Sequence, residues 1–353
     1  MRQEMYVYGA QTTAYGIFCA LEARGESVIG YVVTRREGNP ASIREKRVFC
    51  LEDLDPADHP KFYLAVPEYL HPEIIEILEG RGFHDYVPVD GGMEYHLMKD
   101  YYRAKGRLRF LEDGETKTSK EEAEGDVEIY VAVSAGDRPL LGTPVFPEGA
   151  VTVQAGAAVS PPVTATFRDD TGKNISWKNC HYDELTVTYW AWKNCRAKVK
   201  GIAHYRRCLA ITPEERKGLL TGAIDLILPL PFLCWPDTSM QFERYNTSEA
   251  VSAMWEAIER VHGICMRKKA EEILREDLLY NYNMLVARAT VFDDYCAWIF
   301  PVLEEVERLH PELFPSKVHT RVCGHLGELL GTIYFRTYGD PLRIVHGRKV
   351  WFV

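Results

Sequence analysis

Short continuous apolar runs and longer amphipathic stretches alternate along the first hundred residues. Met5–Gly9 (MYVYG), Val28–Val33 (VIGYVV), Phe62–Val66 (FYLAV) and Tyr86–Val89 are each short enough and apolar enough to predict strands. Between them, Thr13–Arg24 closes on Gly25, and His71–Glu79 places Ile74, Ile75 and Leu78 on one face ahead of Gly80 and Gly82. Both patterns predict helices, and strands alternating with helices predict a parallel sheet with crossover helices. A polar stretch follows. Glu112–Asp126 (EDGETKTSKEEAEGD) holds nine charged residues in fifteen and nothing to bury, which marks a boundary between domains.

The pattern then resumes. Val127–Val133 (VEIYVAV), the apolar half of Val199–Arg207, Ile224–Leu228 and Asn281–Val286 read as strands. His181–Cys195 reads as one helix, with Asp183 and Glu184 in its first turn and Trp190 and Trp192 near its end. Ser248 is the expected cap of a helix toward Val261. Thr290 is the expected cap of a long helix, kinked at Pro301, and Thr320–Tyr338 is the last helix. The expected organisation is α/β throughout: a Rossmann-like domain of nucleotide-binding type over 1–110, a charged linker over 111–126, and a second domain over 127–353.

Composition narrows the function classes. At 353 residues the chain has room for about two domains. A formal net charge of −9 disfavours bulk nucleic-acid binding, so any anion site must be local. Nine cysteines, an odd number without a C-x-x-C pair, fit reduced thiols and a cytoplasmic setting. The N-terminus lacks the apolar core of a secretion signal. The longest apolar stretch, Ala223–Trp235, contains Asp225 and prolines and falls short of the ~20 residues of a membrane helix. Within it, Leu230–Trp235 reads either as a peripheral membrane contact, at the inner face of the membrane, or as the edge of a core.

Two regions carry candidate chemistry. The first strand–helix turn runs Gly9-Ala-Gln-Thr-Thr-Ala14-Tyr-Gly16, so Gly9, Ala10, Thr12 and Thr13 could cradle a phosphate at a helix N-terminus. Ala14 replaces a glycine of the dinucleotide fingerprint, and Thr34-Arg35-Arg36 stands where an acidic residue would meet a ribose, which disfavours a nicotinamide enzyme. In the second domain a strand ends abruptly in His204-Tyr205-Arg206-Arg207, where a guanidinium pair suits a phosphate or diphosphate. Arg168–Asn179 is a dense polar loop in which Asp169 and Asp170 are turn formers. Arg321, His325 and Glu328 fall on one helical face. The D-x-D of the chain, Asp53-Leu-Asp55, precedes a proline and reads as a turn.

The first domain resembles the small N-terminal Rossmann-like modules of bacterial sugar-modifying enzymes, on the YGA turn, VIGYVVT, LAVPEYLHPEI and the Gly82-Phe83 turn. The second resembles a bacterial family that carries a domain-of-unknown-function label and sits in capsular and exopolysaccharide biosynthesis. The blocks that carry this are Val153–Ala158 and Asp169–Ser176, then Tyr182–Leu185 with Tyr189–Asn194, then Gly201–Arg207, Tyr282–Met284 and Arg321–Leu330. The chain departs from that pattern at Ser134–Asp137, at Cys208 and at Gly327-Glu328-Leu329.

The resemblance implies a GT-A-like α/β domain, similar to nucleotide-diphospho-sugar transferases. The implied activity is transfer of a sugar, with inversion, from a nucleoside-diphosphate donor such as a UDP-sugar to a glycan or lipid-linked glycan. On this reading Glu328 is the general base, with Asp170 as second choice. Arg206 and Arg207 neutralise the departing diphosphate. His204, Tyr205, Arg168, Asp169, Asn174, Lys178, Asn283 and Arg321 complete the donor site. Mg²⁺ or Mn²⁺ held by Asp169 or Asp170 is the alternative to the arginines. Two competing readings remain: a cofactor-dependent sugar-modifying enzyme that works through its N-terminal domain and depends on Gly9, and a non-catalytic scaffold indifferent to Arg206 and Glu328.

Overall fold

The structure is a computed structural model, and it describes residues 3–108, 110, 125–140, 142–243, 247–315 and 318–352. Apart from Gly125 and Asp126, the charged linker at 111–126 lies outside the described residues. The chain divides into two compact units, Met1–Arg109 with Phe232–Gln241, and Phe110–Pro231 with Phe242–Val353.

In the first unit a six-stranded sheet runs in the order Ser42–Ile43, Lys46–Cys50, Val28–Val33, Met5–Tyr8, Lys61–Leu64, Tyr86–Pro88. Its pairings are parallel except that between Ser42–Ile43 and Lys46–Cys50. Helices Thr12–Ala23 and His71–Gly80 stand where the periodicity puts them. A third, Gly91–Ala104, is capped by Asp90, whose carboxylate accepts from the Met93 N–H at 2.7 Å. Tyr6, Tyr8, Phe62 and Phe83 fill the core with edge and stacked ring contacts. Gly9 has φ +120°, and a Cβ there would lie 2.9 Å from the Ala65 carbonyl oxygen. Its glycine therefore answers a close approach of two strand ends. Asp53 and Asp55 are turn residues: Asp53 accepts from the Cys50 N–H and Asp55 from the Ala57 N–H.

The second unit holds a larger sheet in the order Ile344–Gly347, Leu226–Pro229, Leu285–Arg288, Val199–His204, Val127–Val133, Ala150–Gln154, Phe167–Arg168. Val127–Val133 lies parallel to both of its neighbours, whereas Leu285–Arg288 is antiparallel to Val199–His204. The chain thus steps outward from Val127–Val133 on one side and returns through helices to Val199–His204 on the other. That reversal is a topological switch point, and the crevice outside the carboxyl ends of the two strands is where such sheets bind ligands. Arg207–Leu209 pairs with the last strand, Lys349–Trp351.

Several expected elements take a different form here. His181–Cys195 is two helices, Asn179–Tyr182 and Leu185–Asn194, because Asp183 adopts φ +48° between them. Asp183 and Glu184 are therefore residues of a break, not of a first turn. The strand expected from Asn281 starts only at Leu285, since Tyr282 and Asn283 are both left-handed. The long helix Ala289–Leu309 starts after Arg288 without a side-chain cap, so Thr290 lies inside it, and Thr247 rather than Ser248 caps Ser248–His262. The last helix is Val322–Tyr338. In the Leu230–Trp235 run, Leu230, Leu233 and Cys234 are buried, which is the core reading of that segment rather than a free membrane face. Among the described residues no helix is long and apolar enough to cross a membrane.

Candidate functional site

His204 ends the strand Val199–His204, and the backbone turns at Tyr205 and Arg206 into Arg207–Leu209. The Tyr205 N–H donates to the Ala132 carbonyl at 3.0 Å, and the Tyr205 hydroxyl accepts from the Arg138 N–H at 3.3 Å. The segment after Val127–Val133 is thereby drawn to the same edge. Asp137 folds back there to accept from the Ser134 N–H and hydroxyl, and its carboxylate feels the Arg206 charge. This run brings an acid, Asp137, to that edge.

Arg206 and Arg207 are half-buried, yet neither guanidinium makes a hydrogen bond or ion pair among the described residues, and the Nε of each is fully enclosed without a partner. Enclosed cations without counter-ions are costly. Arg207 instead lies 4.4 Å from the centre of the Tyr282 ring and 4.9 Å from that of Trp351. Burial pushes its pKa down. These two guanidiniums are the clearest unmet demand for an anion in the unit.

Two carboxylates meet the Tyr282–Asn283 turn. Glu328, on Val322–Tyr338, accepts from the Tyr282 N–H at 2.8 Å, and Glu184 accepts from the Asn283 side-chain amide at 2.7 Å. The same amide donates to the Gly324 carbonyl at 2.9 Å. Gly327 makes the approach feasible, because a Cβ there would sit 2.9 Å from Asn283 Oδ1. Burial pushes the pKa of Glu328 up to about 7 against the pull of the Tyr282 N–H, Arg207 and Arg321. Burial, with Asp183 next in weight, also pushes that of Glu184 up to about 7. His204 goes the other way: burial and Arg207 push it down to about 3, so its Nε2–H donates to the Tyr282 carbonyl at 2.7 Å as a neutral ring.

The backbone around these groups is strained. Six non-glycine residues have positive φ among the described residues, and four of them are Asp183, Tyr282, Asn283 and Arg321. Asp183 pairs with Arg321 and with His319 (Nε2 to Oδ1, 3.0 Å), and the Arg321 N–H donates to the Cys180 carbonyl. Such conformations cost roughly 1–3 kcal/mol each and gather at functional sites. Arg321 is the N-cap residue of the last helix rather than within it, and of the three residues expected on one face, Arg321 bonds Asp183 while Glu328 bonds Tyr282.

The structure therefore brings His204, Tyr205, Arg206, Arg207, Asn283, Arg321 and Glu328 into one connected region. The polar loop is used differently. Asp169 is fully buried and accepts from the Gly156 N–H (2.8 Å), the Ala157 N–H (3.0 Å) and the Ser176 hydroxyl. Asp170 forms a two-point pair with Arg168, at 3.1 and 2.7 Å. Asn174 closes its own turn onto the Gly172 carbonyl and the Ser176 N–H. Lys178 pairs with Glu307 at 2.5 Å. These five residues hold the loop together, tying it through Asp169 to the Gly156–Ala157 turn and through Lys178 to the helix Ala289–Leu309. Their oxygens are engaged by protein donors, so Asp169 and Asp170 do not fit a divalent cation, and no group of three or more metal-ligating side chains occurs among the described residues. The Asp170 carboxylate is held low in pKa by that Arg168 pair.

Trp190 and Trp192 are packing residues. The Trp190 indole donates to the Thr171 hydroxyl at 2.9 Å, and Trp192 stacks on Phe300 at 5.7 Å. In the first unit, Thr12 of the proposed phosphate turn accepts from the Gln241 amide at 3.2 Å, and Ala10 is buried. Sequence reasoning passed over Glu184, Asp183, Tyr282 and Trp351 as site residues. The signal for Glu184 was its place in the Tyr182–Leu185 block. Trp351 carries no signal until the last strand is seen beside Arg207.

A family described as "Domain of unknown function (DUF4422)" matches residues 146–339. No curated protein matches the chain. Among solved structures, the apo form of the bifunctional glycosyltransferase WbbM is similar over 64% of this chain, at 24% identity and a TM-score of 0.54. The similarity covers 45% of that chain, so this protein corresponds to less than half of it. At that identity the likeness establishes a shared fold: a mixed α/β architecture consistent with the GT-A-like class.

Proposed function

The chain belongs to the DUF4422 family, and from that premise we propose that it is a glycosyltransferase whose second unit binds a nucleoside-diphosphate sugar at the switch-point crevice. The observation that carries this reading is the half-buried, unpaired guanidinium pair Arg206–Arg207 at the carboxyl end of Val199–His204. A diphosphate supplies the missing anion and would be held by charge-assisted contacts.

The chemistry follows from the groups around that pair. The acceptor hydroxyl oxygen attacks the anomeric carbon while the bond from that carbon to the diphosphate oxygen breaks. The hydroxyl proton passes to Glu328, whose Oε1 accepts from the Tyr282 N–H, which leaves Oε2 to take it. The electron pair leaves with the diphosphate, and Arg206 and Arg207 stabilise its charge as it develops. A displacement of this form inverts the anomeric configuration. Neutral His204 and the Glu184–Asn283 bond fix the Tyr282–Asn283 turn that aims Glu328. We assign no step to a metal ion, since the carboxylates considered for one are spent on the loop.

The acceptor is a surface-polysaccharide glycan on this reading, and UDP is the first donor nucleotide to test. The experiment incubates the protein with a panel of UDP-, GDP- and CDP-sugars and oligosaccharide acceptors and measures nucleoside diphosphate released. Release by the wild type that falls at least 100-fold in Glu328→Gln supports the proposal. Equal release by the two proteins sinks the base assignment, and no release with any donor favours a scaffold.

A further inference from the structure

The last strand, Lys349–Trp351, lies beyond the residues that match the family, yet it meets the site directly. Trp351 sits opposite Arg207 in the antiparallel ladder. The Arg207 guanidinium is held between two rings, at 4.4 Å from Tyr282 and 4.9 Å from Trp351, and the rings meet edge to face at 5.4 Å and 88°. The Lys349 ammonium approaches the same Tyr282 ring at 5.4 Å. Tyr282 is the left-handed residue whose N–H holds Glu328. Trp351 is 37% exposed, so burial alone does not account for a tryptophan at this edge.

We infer that Trp351 is a positioning residue for nucleoside-diphosphate binding: with Tyr282 it clamps Arg207 so that the guanidinium edge faces the crevice. This rests on the diphosphate reading of the site. The physical case is that an arginine without a carboxylate partner has several rotamers open to it, and each unpaired one binds an anion less well. Two ring faces supply the attraction a carboxylate would otherwise provide, but leave the two terminal NH₂ groups of the guanidinium for the ligand. A carboxylate partner would compete with the diphosphate, whereas a ring does not.

The test is isothermal titration of the full chain with UDP, comparing wild type, Arg207→Ala, Trp351→Leu and Trp351→Phe. Leucine keeps apolar bulk and removes the ring, and phenylalanine restores a ring face. The expected result is a Kd raised roughly 5- to 30-fold in Trp351→Leu and close to wild type in Trp351→Phe. A second readout is the pH profile of sugar transfer. Freeing Arg207 removes a positive charge that lowers the Glu328 pKa, so the acid limb moves to higher pH in Trp351→Leu and returns in Trp351→Phe. A lost affinity in Arg207→Ala with wild-type affinity in Trp351→Leu overturns this inference and leaves the diphosphate reading standing. Equal affinity in all four proteins, or no binding to wild type, overturns both.

Discussion

Replacing Glu328 by glutamine should make the second unit less sensitive to pH. The half-buried Glu328 carboxyl ionises near 7 in the folded chain and at its ordinary 4.5 when unfolded, chiefly because burial disfavours its charge. Between those values the unfolded chain gives up a proton that the folded one keeps, so raising the pH favours unfolding. The stability tied to this group is fully present below pH 4.5 and is lost as pH passes 7. At 1.36 kcal/mol per pH unit the loss is at most about 3 kcal/mol, and residual solvent contact trims it to about 1–2 kcal/mol. Glutamine keeps an oxygen for the Tyr282 N–H and cannot ionise. Urea unfolding followed by tryptophan fluorescence at pH 5 and pH 8 reads the effect. Wild type should lose about 1–2 kcal/mol more than Glu328→Gln across that interval. Parallel pH dependence in the two proteins would refute the claim that burial holds Glu328 protonated at neutral pH.

Other outcomes follow from the same geometry. If Glu328 is the base, the rate of sugar transfer rises with pH through about 7, because only the ionised carboxylate accepts a proton; a flat profile from pH 5.5 to 8 would count against it. Asp169→Asn should lower stability by about 2–4 kcal/mol, since an amide cannot accept from the Gly156 and Ala157 N–H groups together; thermal unfolding reads it, and a shift within 1 °C would mean the clamp is idle. Gly9→Ala should cost about 1–3 kcal/mol through the Ala65 carbonyl clash while leaving UDP affinity unchanged. EDTA should leave UDP affinity within about twofold, since Asp169 and Asp170 are occupied by protein donors; a loss of tenfold or more would bring a cation back into the site.

The sheet strands were legible because each is a short apolar run between glycine or polar breaks, as at Val28–Val33 and Val127–Val133. Lys46–Cys50 was not, because KRVFC carries two cations and its burial comes from lying beside Val28–Val33. His204, Arg206 and Arg207 were legible as a polar burst at a strand end. The two arginines' lack of hydrogen-bonded partners was not, since pairing depends on which remote side chains arrive. The helix break at Asp183 and the turn at Tyr282–Asn283 escaped for the same reason. None of the three is glycine; Asp183 and Asn283 are of types that tolerate positive φ, but Tyr282 is not, and the conformations persist through contacts with Arg321, Glu184 and Glu328 from distant parts of the chain. Asp169 and Asp170 were legible as turn formers, but not their partners: only the fold shows the amide N–H groups, the hydroxyl and Arg168 that engage them.

The central claim is that an unpaired guanidinium pair at the end of Val199–His204 holds a nucleoside diphosphate. Isothermal titration of UDP into wild type and the Arg206→Ala/Arg207→Ala double variant tests it most directly, at two salt concentrations. Charge-assisted contacts are each worth about 1.5–3 kcal/mol, so the double variant should bind at least roughly 100-fold more weakly and lose most of the salt dependence. Equal affinity and equal salt dependence in the two proteins would contradict the account.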